Sequence, residues 1–466
     1  MNAPGTAAAR LGAARDGLAR AGSVLAGLPA GWRGPAAGAA TAAGAALGER
    51  HRGLLADLDG VLVALRTAAV GAGTAPDQAD AALAAALDAA GHAAPVPSPT
   101  VPLGGARGPD ADAVARWWAG LDPDARAVLE RERPALVGGL DGLPAAVRDR
   151  ANRAVLAGAR EQAGQEERAA VERLARVRGP VELARIGWQL HEVRTRLARL
   201  TAVATAIDRP GRALLDLEVD PAPADGEGVR AAVAQGDVDA AAHVGVYTPG
   251  FTSGVDDLPE RLGELDALAA AAGPGTATVA WYGYDAPQVD EVLDPDRSVL
   301  GRAAAEEGGG RLASFLDGLD AARPADAHVT AIGHSYGSVV TAAALAPGGA
   351  DGVDDAVYLG SPGVGDAPGR PPGHAFVVEA GGDPVADAAW FGPDPNRAPG
   401  VTGLSAREVV LPDGQVLAGS RGHSGYLEPG STSAANIAAV VGGRPGDVVL
   451  DRGVDAGDRL RRLVGG

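Results

Sequence analysis

The sequence predicts an α/β protein, a doubly wound and mostly parallel sheet in its second half preceded by an all-α region. Three observations carry this expectation. Up to about Ile207 the apolar residues recur at helical spacing. After Arg209-Pro210 short β-type runs alternate with helical ones, the pattern of a parallel sheet covered on both faces. The 466 residues are also enough for roughly three folding units.

Taken in order, residues 6–28 place Leu11, Leu18, Leu25 and Leu28 on helical spacing, and Pro29 to Pro35 breaks it. A second helical stretch follows over residues 36–72, so residues 1–92 are expected to hold a helical hairpin with Trp32-Arg33-Gly34 at its turn. Residues 93–110 are rich in Pro and Gly and read as a linker. Residues 111–207 form a helical segment, with one helix over 112–133, a turn at Gly138 to Pro144, and a long Arg/Glu-rich helical run interrupted at Gly179-Pro180. Residues 208–466 carry the sheet. Strands are expected over 213–219, 230–234, 242–247, 276–282, 328–332, 356–359, 375–379 and 408–411, with helices over 258–271, 298–319 and 336–345.

Composition excludes several classes. The formal charge of −18 opposes nucleic acid, which needs a basic face, and anionic lipid surfaces. There are no cysteines, so neither disulfides nor a thiolate nucleophile is available. No cationic stretch precedes an apolar core at the N-terminus, and no apolar run is long enough to span a bilayer, so no signal peptide or transmembrane segment is expected. The default location is therefore the cytoplasm.

The chemistry centres on Gly333-His334-Ser335-Tyr336-Gly337, a G-x-S-x-G sequence. An apolar strand runs directly into it and a small-residue helix runs out of it. That strand–turn–helix is the nucleophile elbow, which lifts a serine hydroxyl above the sheet edge. The flanking glycines are needed because side chains there would collide with the neighbouring strand and helix. The serine requires a base, and the base requires an acid, in the chain order Ser, acid, His. Of the two histidines after Ser335, His374 precedes a strand and so starts at the far sheet edge, whereas His423 lies in a late loop where the base belongs. The acid should sit at the carboxyl end of the strand beginning at Ala375. Asp383 is the first choice, with Asp366 and Asp387 as rivals. The oxyanion donors are expected to be the N–H of Tyr336 and, from the loop after the third strand, the N–H of Phe251, with Gly250 allowing close approach. Trp281, Tyr284 and Asp285 end the fourth strand on the same face, either lining a pocket or packing its rim. The link between Leu359 and Ala375 has no room for a cap, so the site is open or is covered by the N-terminal helices.

Further pieces of sequence are distinctive: Trp117-Trp118, the run from Gly139 to Arg153 that begins Gly-Leu-Asp-Gly-Leu-Pro, Trp281 to Pro287, Gly333 to Ser338 and Gly360 to Gly365. Over residues 117–436 they resemble a largely actinobacterial α/β-hydrolase family, formerly of unknown function, with a helical region ahead of the core. The resemblance implies a triad of Ser335, Asp383 and His423, no metal or cofactor, and an ester or lipid-ester substrate, as in lipase- and cutinase-like enzymes. The alternative is a catalytically silent hydrolase-fold module for binding or delivery. The Trp32-Arg33-Gly34 hairpin is similar to the W-x-G hairpins of type VII secretion, which implies a secretion-related partner for the N-terminal helices and export by that route.

Overall fold

The computed structural model describes residues 110–220, 228–288, 298–323, 326–364, 374–386, 390–392 and 395–451. The hairpin expected over residues 1–92, the linker up to residue 109, and the rival acids Asp366 and Asp387 lie outside them.

Where one helix was expected over residues 112–133 there are two, α1 (Ala111–Gly120) and α2 (Pro123–Glu132). Asp122 makes the break, its side chain accepting from the Ala125 N–H at 2.8 Å while Pro123 occupies the first turn, where no N–H is needed. A short α3 (Pro134–Gly138) precedes the long antiparallel pair α4 (Ala145–Arg176) and α5 (Pro180–Ala206), which break at Gly179-Pro180 as expected.

The sheet comprises β1 (Arg212–Val219), β2 (Val229–Gln235), β3 (His243–Thr248), β4 (Thr276–Tyr282), β5 (His328–His334), β6 (Asp355–Leu359), β7 (Ala375–Val378) and β8 (Val401–Leu404), in the order β1-β2-β4-β3-β5-β6-β7-β8. Only β2 runs against the others. The connecting helices are α6 (Leu258–Ala272), α7 (Ala303–Ala321), α8 (Tyr336–Ala344) and α9 (Thr432–Val441). Central β5 carries the elbow at its carboxyl end, where an open α/β sheet places its ligand.

Two expectations are corrected. Residues 408–411 do not form the last strand of the sheet: Val409–Val410 pairs antiparallel with Val416–Leu417 in a separate ribbon turned by Asp413-Gly414. The last strand is β8, a Val-Thr-Gly-Leu run too short and too polar to stand out, and its conformation is set by pairing with β7. The helix expected from residue 298 begins at Ala303, because Ser298 first closes a turn through its Oγ to the Leu300 N–H and its carbonyl to the Gly301 N–H.

The helical segment is tied to the sheet by polar contacts from the Gly139 to Arg153 run. Asp239 accepts from the Ala145 and Ala146 N–H groups, satisfying orphan donors at the start of α4. Along β1, Asp149 accepts the Leu214 N–H at 2.7 Å, Asn152 donates to the Leu214 carbonyl at 3.1 Å, and Arg153 donates to the Arg212 carbonyl at 2.9 Å. Arg148, 3% exposed, pairs with Asp141 at 2.9 Å over the face of Phe315. Asn152 also donates to the Gly138 carbonyl. Asn152→Ala removes that donor from two buried carbonyls and is expected to cost about 1–3 kcal/mol. Urea unfolding should show a lower midpoint at unchanged slope. Urea unfolding alone should register the change, because no residue of this seam lines the cavity described next. No described helix is long and apolar enough to cross a membrane.

Candidate active site

The site is built around the turn from β5 into α8. Ser335 sits there at φ 55°, ψ −129°, and it is one of only two non-glycine residues with positive φ among those described. Thr252, in the facing loop after β3, is the other (φ 64°). Both are held by their surroundings, as strained residues must be. The Ser335 N–H donates to the Leu359 carbonyl on β6 at 2.9 Å, and the Ser335 carbonyl accepts from both the N–H and Oγ of Ser338. The elbow glycines play the expected parts. A Cβ at Gly337 would lie 2.3 Å from the Pro249 carbonyl oxygen, and one at Gly333 would lie 2.6 Å from Ser338 Cα.

Asp383 follows β7 and is 1% exposed. Its carboxylate accepts the His423 Nδ1–H at 2.9 and 3.0 Å, the Tyr426 hydroxyl at 2.5 Å, and the N–H groups of Val385 and Ala386 at 2.9 and 3.3 Å. Burial alone would raise the Asp383 carboxyl. The hydrogen bonds from His423 and Tyr426, with the charge of His423, outweigh it and bring the group down to about 2. An ionised Asp383 holds the His423 proton on Nδ1, which leaves the Nε2 lone pair free to accept. Ser335 and His423 line one cavity. The Ser335 hydroxyl makes no hydrogen bond to the imidazole among the described residues. Such bonds are commonly long before substrate binds.

Two supporting side chains were not legible beforehand. Tyr426 donates to Asp383 while accepting the Ala380 N–H at 3.1 Å, bracing the carboxylate against the end of β7. Its only sequence signal is its position three residues after His423. His334, noted only as part of the elbow, bonds through Nε2 to the His423 carbonyl at 2.6 Å, with the two rings 4.8 Å apart. Burial, then the neighbouring His423 charge, pushes His334 down to about 3. It is therefore neutral, and its Nε2–H is the donor.

The loop after β3 closes over the serine. A Cβ at Gly250 would lie 2.6 Å from Ser335 Cβ, so only glycine permits this approach. The Thr252 N–H donates to the Pro287 carbonyl and the Ser253 N–H to the Gly250 carbonyl, and Tyr284 Oη fixes the Pro249 carbonyl at 2.8 Å. The N–H groups of Phe251 and Tyr336 have no acceptor among the described residues.

The cavity measures about 610 Å³. Val299, Leu300, Trp390 and Phe391 give the wall an apolar part, and Thr252, Ser253, Asp257 and Arg261 add polar groups to the lining. Trp281, Tyr284 and Asp285 are not part of its lining. Trp281 stacks on Tyr284 at 5.9 Å inside the core, and Asp285 pairs with Arg230 at 2.6 Å, so a pocket-lining role for these three is withdrawn. Their strand, β4, ends one position farther from β5 than β3 does, which takes them out of reach. No residue of α1 to α5 lines the cavity either. His374 pairs with Asp355 at 2.9 Å, at the opposite edge of the sheet. Among the described residues no group of three or more His, Asp or Glu could hold a metal ion.

A doubly wound sheet with a strained serine after its central strand and a His–Asp pair on the later loops is the arrangement of an α/β hydrolase, and the chain belongs to that family. A sequence profile described as alpha/beta hydrolase matches residues 223–393. The uncharacterized protein Rv0963c of Mycobacterium tuberculosis is 37% identical over 253 residues, spanning 48% of this chain and 91% of its own. Another uncharacterized protein of that organism, Rv2079, is 32% identical over 304 residues, 60% of this chain and 44% of its own. Among solved structures, an esterase of Pyrobaculum calidifontis aligns with a TM-score of 0.34 at 16% identity, over 57% of this chain and 98% of that one. Esterase LipW of Mycobacterium marinum aligns with a TM-score of 0.31 at 15% identity, over 55% and 86% respectively.

Proposed function

We propose that this protein is a serine hydrolase that cleaves carboxylic esters, lipid esters included, through an acyl-enzyme. The observation that carries the reading is the ionised, fourfold hydrogen-bonded Asp383 on His423 Nδ1, in a cavity shared with the strained Ser335. Ser335 Oγ attacks the ester carbonyl carbon as His423 Nε2 takes its proton. The oxyanion of the tetrahedral intermediate accepts from the N–H groups of Phe251 and Tyr336. The C–O bond to the alcohol then breaks, and His423 returns the proton to the leaving oxygen. Water, deprotonated by His423, releases the acid and restores Ser335. The apolar part of the wall at Val299, Leu300 and Phe391 suits an acyl or alkyl chain.

A fluorophosphonate probe tests this directly. The native protein is expected to label, and Ser335→Ala and His423→Ala are expected to lose labelling. Well-folded native protein that does not label would favour the silent binding module instead.

A further inference from the structure

The helix pair α4/α5 reaches well beyond the sheet it serves. Near its base, Leu156 and Ala163 of α4 and Leu200 and Val203 of α5 join the core of the sheet. Farther out, Ala170, Ile186 and Leu190 form a separate cluster with Leu174 and Val177. From Ala163 to Arg176 is about 20 Å of helix at 1.5 Å per residue, so the tip stands off as an arm.

On this arm α5 has two apolar seams. The inner one, Ile186, Leu190, Leu197 and Leu200, faces α4 and the sheet. The outer one is Val181, Ala184, Trp188 and His191, at the 3-4-3 spacing with which a helix meets another helix, and all four residues are exposed. Val181 is 82% and Trp188 66% exposed, and the Trp188 indole N–H donates to Glu192 one turn on at 2.7 Å. Two turns apart on the same face, they make an exposed apolar patch on the arm rather than scattered single residues.

We infer that the outer seam is a self-association surface, on which α5 packs antiparallel against α5 of a second copy of this chain. The seam is self-complementary about a two-fold axis near residue 186. Each Trp188 then covers the other copy's Ala184, a large residue over a small one, and each Val181 meets the other's His191. Charge also favours the tip as the meeting place. The whole chain carries −18, so two copies repel through their bodies, whereas residues 171–192 hold four arginines (173, 176, 178, 185) against three glutamates (172, 182, 192), a net +1. Trp188 and Val181 together expose on the order of 300 Å² per copy, which with polar flanks reaches the lower end of stable interfaces and sets the expected dissociation constant in the micromolar range.

Sedimentation equilibrium of the full chain from about 1 to 100 μM tests this. The native protein is expected to be a reversible dimer. The double variant Val181→Glu, Trp188→Glu is expected to dissociate more than tenfold more readily, and Val410→Glu, a charge placed at an exposed valine elsewhere, is expected to behave as native. Circular dichroism checks that each variant is folded, which their exposure leads us to expect. A chain that stays monomeric at 100 μM, or a dimer indifferent to the double substitution, overturns the proposal.

Discussion

Asp383→Asn is expected to lower kcat for ester hydrolysis by about four orders of magnitude while leaving the protein folded. The amide oxygen can stay on the Val385 and Ala386 N–H groups, which bond one carboxylate oxygen, so the loop can hold its shape, while the NH₂ takes the place of the oxygen that accepted from Tyr426. Its NH₂ group, however, donates where the carboxylate accepted. His423 Nδ1 then becomes the acceptor, the ring proton moves to Nε2, and the base faces Ser335 already protonated. Geometry survives and the proton path fails. Steady-state rates on a short p-nitrophenyl ester, with Ser335→Ala as the floor, measure the effect. A loss below tenfold would mean that Asp383 does not orient the base. The same carboxylate affects acid stability. Its folded value of about 2 lies below that of an unfolded Asp near 3.9, so it stabilises the fold above about pH 4 and loses that contribution as pH falls toward 2. The contribution is on the order of 2 kcal/mol, and Asp383→Asn should flatten this part of the acid-unfolding curve.

Gly337→Ala is expected to cost both stability and activity, because its added methyl group meets backbone beside the nucleophile. The added Cβ would lie 2.3 Å from the Pro249 carbonyl oxygen and 2.4 Å from that of Thr248, both backbone atoms at the end of β3. Neither can turn aside as a side chain would. Relief requires α8 to back away from β3, which moves Ser335 together with the loop bearing Gly250 and Phe251. A destabilisation of about 3 kcal/mol or more is expected, with activity lost even in the fraction that folds. Thermal unfolding and probe labelling read the two effects separately. A variant of native stability and native labelling would show that the elbow has slack that these distances do not allow.

The parts of this arrangement legible in the sequence are those whose determinants are local. The elbow announces itself because strand, glycines and serine are contiguous, and the order of serine, acid and histidine limited the partners of Ser335 to a few positions. The middle strands β3 to β7 are nearly continuous apolar runs because both faces are buried, and their expected limits fall within one or two residues of those observed, β5 alone running two residues further, to His334. What was missed depends on tertiary partners. β8 is strand-like only through β7. Trp281 and Tyr284 point into the core because of the strand order, which no local pattern encodes. Tyr426 and His334 gain their roles from Asp383 and from the His423 carbonyl, groups 43 and 89 residues away in the chain. The Asp122-Pro123 break is the exception. Its signal was local, a helix-capping acid followed by proline, and apolar periodicity hid it.

The ties along β1 also bear on how this protein can be divided. β1 is the outermost strand on its side, and α4 occupies the outward N–H and carbonyl of Leu214 and the carbonyl of Arg212. A chain shortened to begin near Ile207 would retain every residue of the proposed triad yet bare that strand's unpaired backbone, a template for adding strands from other molecules. Such a fragment should precipitate rather than serve as a minimal enzyme. The helices ahead of the sheet would then act as a built-in guard against aggregation, whatever else they do.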